Sequence, residues 1–156
     1  RNLPIAVLTA DCVPILICDN DKNIIAAIHA GWKGAYKNII KKVINFMIKK
    51  GCNPENMTAA VGPCIAVNNY EIKQDFIKKF LKKDKKNKIF FKKYKNKNCF
   101  NLNKYIYIQL QNLNVKNIDL INKDTFNEKN NFFSARRSIG RNENDYGRNI
   151  SVIMIN

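Results

Sequence analysis

The sequence predicts an α/β domain, on three observations. Short β-branched runs open the chain, an amphipathic run at helical spacing follows, and strand-like and helix-like segments alternate from there to the end. The opening runs are residues 3–8, 13–18 and 23–30, the last two separated by the turn-forming Asp19-Asn20-Asp21, and three buried strands are expected there. From residue 32 to 50, Tyr36, Ile39, Ile40, Val43, Ile44 and Met47 recur three and four residues apart with lysines between them. Gly51 then supplies a stop, so one amphipathic helix is expected. Residues 57–61 read as a strand, Gly62-Pro63 as a turn, and residues 70–81 as a second helix with Ile72, Phe76, Ile77 and Phe80 on one face. Residues 101–113 give a third helix, and residues 117–121 and 150–155 give strands. No repeat or linker divides the sequence, so residues 1–156 are expected to form one domain.

Composition narrows the class. Hydrophobic residues make up 46% of the 156, enough for one core. Asp11, Asp19 and Asp21 interrupt the apolar opening before it reaches the roughly 18–20 residues of a membrane span, so no membrane partner is expected. Five cysteines, at 12, 18, 52, 64 and 99, are an odd number without zinc-finger or disulfide-scaffold spacing, which points to a reducing cytoplasm. The chain starts at Arg1 without initiator Met or signal peptide, and residues 3–7 already read as a strand. A piece of something longer is expected.

The net charge of +16 comes from 28 basic against 12 acidic residues, and only five of the basic ones are arginine. A basic surface attracts phosphates by releasing counterions. Asn and Ile are abundant beside Lys, however, as AT-rich coding would produce, and a nucleic-acid partner is not expected. Eleven lysines between residues 78 and 97 surround Ile89, Phe90, Phe91 and Tyr94, and an exposed helix end and loop is the preferred reading over a basic patch interleaved with aromatics.

Four constellations carry chemistry. Thr9-Ala10-Asp11-Cys12 sets an acid and a thiol at the junction of two buried strands, where a small buried cysteine and a turn-capping aspartate would be the plain explanation. His29-Ala30-Gly31-Trp32-Lys33-Gly34 puts the only histidine at a strand end, with glycines that allow close backbone approach and with Lys33 near a helix start suited to an anion. Gly62-Pro63-Cys64-Ile65 presents a thiol on a tight turn. Residues 134–148 gather Arg136, Arg137, Arg141 and Arg148, whose planar forks suit phosphate or carboxylate, in a chain otherwise dominated by lysine.

In this order and spacing the four segments resemble the YfiH-like or laccase-domain family, described first as multicopper polyphenol oxidases and later as purine nucleoside phosphorylases. The pattern runs as TADC with Pro14 two residues on, then AAIHAGW-G (Ala26 to Gly34), GPCI with Tyr70-Glu71 after it, FFS-RR (Phe132 to Arg137) and YGR (Tyr146 to Arg148). Three positions depart from it: Lys33 stands for Arg, Ala66 for Gly and Ala135 for Tyr. The resemblance implies a mixed-sheet α/β sandwich of which this chain is the C-terminal two-thirds, leaving an apolar sheet face or edge uncovered. It implies a zinc site with Cys12 and His29 as ligands and a third ligand, a histidine, from a segment preceding Arg1. Three protein ligands leave one tetrahedral position open, the arrangement of a catalytic zinc.

The activities implied are phosphorolysis of adenosine, inosine or methylthioadenosine and deamination of adenosine. Cys12, His29 and Asp11 would form the catalytic group, and Lys33, Arg136, Arg137 and Arg148 would hold phosphate. The expected partners are nucleoside and phosphate, with an N-terminal segment or a second copy completing the molecule. Competing readings are an editing amidase of peptidoglycan precursors with Cys12 as nucleophile and His29 as base, copper-dependent polyphenol oxidation, and an inactive remnant. Copper as the metal is disfavoured because one His and one Cys are too few donors for several copper ions.

Overall fold

A computed structural model describes residues 2–155. Its centre is a four-stranded sheet of β2 (Val13–Asp19), β3 (Ile24–Ala30), β4 (Met57–Val61) and β7 (Asn117–Leu120), in the order β3-β2-β4-β7. β2 runs antiparallel to both its neighbours while β4 and β7 run parallel, so the sheet is mixed. The register sets Ile15 between Ile28 and Val61, and Ile17 between Ala26 and Ala59. Period-two alternation therefore sends Val13, Ile15 and Ile17 to one fully buried face. That face packs in one core with Ile40, Ile44 and Met47 of α2 (Ile39–Lys49) and Ile106 and Leu110 of α4 (Leu102–Gln111). At the end of β2 the buried Asp19 carboxylate is satisfied by the amides of Lys22 at 3.0 Å and Asn53 at 3.1 Å.

β1 (Ile5–Thr9) does not join this sheet. It pairs antiparallel with the last strand, β8 (Asn149–Ile153), and the two lie against β2 and β3. Leu8 faces Ile150 and Ala6 faces Val152 across this ladder, and all four are exposed, which leaves an apolar outer face. Among the described residues no helix is long and apolar enough to cross a membrane.

Several elements differ from the sequence expectation. The helix expected over 32–50 is two, α1 (Trp32–Tyr36) and α2, broken at Asn38, whose φ of 62° is the left-handed conformation that asparagine tolerates. Residues 70–72 are not helical. Ile72 donates to the Asn98 carbonyl at 2.8 Å and Phe100 to the Tyr70 carbonyl at 3.1 Å, so sheet-like pairing overrides their helical spacing, and α3 spans Gln74–Lys83.

The lysine-rich connection is not a loop. A 3₁₀ turn (Lys85–Phe90) leads into a hairpin of β5 (Phe91–Tyr94) and β6 (Lys97–Phe100). Its two-residue turn, Lys95-Asn96, has positive φ at both positions, matching the twist of a tight hairpin. Phe80, Phe100 and Tyr105 pack with Phe76 and Phe91 beneath it, with Phe76 and Phe80 stacked at 4.5 Å. Within the arginine cluster, residues 135–140 form a short helix, α5 (Ala135–Gly140), capped by the Ser134 hydroxyl accepting from the Arg137 amide.

Candidate functional site

The turn between β1 and β2 is where distant segments meet, and Asp11 joins them. The Thr125 hydroxyl donates to one of its carboxylate oxygens at 2.7 Å and the Arg136 amide to the other, also at 2.7 Å. Its own carbonyl accepts from the Ile65 amide at 3.1 Å. Asp124, the neighbour of Thr125, has a similar role, accepting from the amides of Ala66 at 2.9 Å and Phe126 at 3.0 Å and from the Asn69 side chain. The TADC turn, the GPCI turn, the 124–126 segment and the start of α5 are thus held together by two carboxylates. Asp124 and Thr125 carry no signal in the sequence, because a polar pair in a loop does not announce partners more than fifty residues away.

Cys12 follows Asp11 and opens onto a hollow of about 170 Å³ lined with Ile65, Tyr70, Leu102, Arg136 and Ile139. Burial, and next the Asp11 carboxylate, push its thiol pKa up, so without a cation beside it the sulfur keeps its proton. The Cys64 thiol behind it is pushed up to about 12, chiefly by burial and then by Asp124. Gly31 lies under Cys12: a Cβ there would stand 2.8 Å from the Cys12 sulfur and displace it. Gly62 is constrained more strictly, since its Cβ would stand 2.7 Å from Cγ of the rigid Pro14 ring.

His29 pairs with Pro14 in the β2–β3 ladder, and its side chain is exposed. The ladder ends one step on, at Val13 opposite Ala30, and Cys12 precedes Val13, so Cys12 and His29 lie at the same end of the β2–β3 pair. Among the described residues no group of three or more His, Cys, Asp or Glu could hold a metal ion. Cys12 and His29 are a fitting thiolate and imidazole pair for zinc, but by themselves they do not complete a site.

The four cations expected around phosphate are not gathered. Arg136 alone lines the hollow, its guanidinium 5.5 Å from the Tyr70 ring centroid, with Nη1 donating to the Glu71 carbonyl at 3.2 Å. Arg137 turns its fork to the carbonyls of Thr125, Phe126 and Phe132, at 2.8, 3.0 and 2.6 Å, and braces the loop. Lys33 lies over Trp32 at 5.7 Å, and Arg148 over Tyr146 at 3.9 Å. A larger groove of about 560 Å³ lies on the far side of Arg136, lined by Asp124, Arg137 and the Glu128–Arg141 ion pair, and holds neither thiol nor imidazole. The chemistry-bearing hollow is the smaller one. Tyr70, which the sequence offers only within a motif, supplies its aromatic wall, and burial pushes its phenol pKa upward.

A purine nucleoside phosphorylase of Rickettsia conorii is 40% identical over 152 residues, covering 96% of this chain and 62% of the relative. One from Haemophilus influenzae is 35% identical over 150 residues, covering 94% of this chain and 58% of the relative. An adenosine deaminase from an unknown prokaryotic organism is 37% identical over 82 residues, 53% of this chain. The crystal structure of the hypothetical protein YfiH of Bacillus licheniformis superposes with a TM-score of 0.83 at 28% identity, over 97% of this chain and 57% of that one. The chain thus spans about three-fifths of the length of the relatives it matches. Residues 1–156 match the family described as multi-copper polyphenol oxidoreductase laccase, and with YfiH proteins among its structural neighbours the chain belongs to that family.

Proposed function

We propose that this chain is the portion of a purine nucleoside phosphorylase, acting also on adenosine as a deaminase, that carries the Cys12–His29 corner. The observation that carries this reading is the meeting of Cys12, Tyr70 and Arg136 at one hollow, with His29 at the same end of the β2–β3 ladder as Cys12, in a chain whose relatives are named for those activities. In phosphorolysis an oxygen of phosphate bonds to C1′ of the ribose as the N-glycosidic bond breaks, and the bonding pair leaves with the base. Arg136 pairs with no carboxylate among the described residues, so its guanidinium is placed to hold the phosphate. The Tyr70 ring and the apolar Ile65, Leu102 and Ile139 suit a flat purine. Asp11 positions the Cys12 turn. Zinc would be held by Cys12, His29 and one donor outside the described residues, and when bound it supplies Lewis acidity. The five free thiols fit a reducing cytoplasm.

The amidase alternative requires Cys12 as a nucleophile. Metal dependence separates the two readings, since chelation should abolish phosphorolysis and spare a thiol hydrolase. The test is to incubate the full-length protein with adenosine, inosine or methylthioadenosine, with and without inorganic phosphate. Base release that depends on phosphate and falls at least tenfold in Arg136→Ala is expected. No phosphate-dependent release from any of the three would overturn the reading.

A further inference from the structure

Positive charge is unevenly spread over this molecule. Residues 73–97 hold twelve lysines against two carboxylates, Asp75 and Asp84, a surplus of ten out of the chain's +16 in 25 of 156 residues. Compositional bias toward lysine accounts for a high total, not for its concentration. All twelve lysines are exposed. They stand on ordered elements: α3 anchored by Phe76 and Phe80, the 3₁₀ turn by Phe90, and the hairpin by Phe91 and Phe100. The lysines are therefore carried on ordered backbone around one aromatic core, with Lys97 paired to Glu71 and Lys83 turned to the Tyr36 carbonyl and Asn38.

Aromatic rings sit within that array. At the hairpin tip, Tyr94 is exposed, with the ammonium groups of Lys92 and Lys95 at 5.7 and 5.6 Å from its ring centroid. On the α3 side, Lys79 lies 5.3 Å from the Trp32 ring and 5.1 Å from that of Tyr36. Cations that track a phosphate backbone, with rings that accept stacked bases, are what sequence-tolerant recognition of single strands uses.

We infer that α3 and the β5–β6 hairpin form a docking surface for single-stranded nucleic acid, with the lysines contacting phosphates and Tyr94 stacking on a base. An anionic membrane surface fits less well, because a helix lying on a bilayer inserts its apolar face, and that of α3 is turned into the core through Phe76 and Phe80. The inference rests on a different region of the molecule from the Cys12 hollow and does not depend on the enzymatic reading.

The probe is a fluorescent 20-nucleotide oligouridylate titrated with the full-length protein and followed by anisotropy. About four phosphate contacts, each contributing a slope of roughly 0.7, predict an affinity about 50-fold weaker at 200 mM than at 50 mM salt. A variant combining Lys85→Glu, Lys93→Glu and Lys95→Glu should bind at least tenfold more weakly. A control combining Lys41→Glu, Lys42→Glu and Lys49→Glu on α2, with the same change of net charge, should stay within twofold. Tyr94→Ala should lose roughly fivefold with the salt slope unchanged. Equal losses in the two triple variants, no binding at 50 mM salt, or binding to phosphatidylserine vesicles without binding to the oligonucleotide would each overturn the inference.

Discussion

Asp11 receives hydrogen bonds on both carboxylate oxygens, from the Thr125 hydroxyl and the Arg136 amide, and this gives it a positioning role beside the thiol. Asp11→Ala leaves both donors without their acceptor and should cost about 2–3 kcal/mol in urea denaturation. Asp11→Asn keeps an oxygen for the Arg136 amide and an amide group that the Thr125 hydroxyl can accept from, so it should stay within about 1 kcal/mol of the parent. Cys64 gives a pH signature. Its thiol, normally near 9, is pushed up to about 12 in the folded chain. The unfolded state therefore releases this proton first, and the contribution is full below pH 9 and declines as pH rises toward 12. Stability should drop by up to about 1.4 kcal/mol per pH unit more steeply than in Cys64→Ala, as denaturation at pH 8.5, 9.5 and 10.5 would show. Cys12, His29 and Arg136 were legible because each sits in a segment whose residue types are unusual for its surroundings. The bracing role of Arg137 was not, since it depends on carbonyls that only the folded loop brings within reach.

At the scale of elements, periodicity succeeded where a segment packs as one unit and failed where pairing or strain intervened. β2 coincides with its expected apolar run, and α2 keeps the helical spacing of the later part of the expected helix. Residues 70–72 carry helical spacing yet pair with β6, and Asn38 breaks a continuous helical pattern through a backbone conformation the pattern does not encode. The β5–β6 hairpin was hidden by its lysines, although Tyr94-Lys95-Asn96-Lys97 holds the asparagine that a two-residue turn favours. Phe80 ties this module to the core, fully buried and ringed by Phe76, Phe91, Phe100 and Tyr105. Phe80→Ala should cost about 3–5 kcal/mol in denaturant unfolding. A loss under 1 kcal/mol would show that the aromatic cluster does not anchor α3.

For the whole molecule, the α/β class and the mixed sheet follow the expectation, while the separation of β1 and β8 into their own two-stranded sheet depends on a pairing between the two ends of the sequence that no local pattern announces. That sheet exposes Leu8, Ile150 and Val152 on its outer face. Cys12 and His29 lie at the same end of the β2–β3 ladder, and the proposal is that this corner is a metal-dependent catalytic centre. The most direct measurement is the metal content of the purified full-length protein beside its Cys12→Ala and His29→Ala variants, each checked for unchanged circular dichroism. About one zinc per chain in the parent, lost from both variants, is the predicted result. A parent without metal, or variants that retain it in full, would contradict the claim.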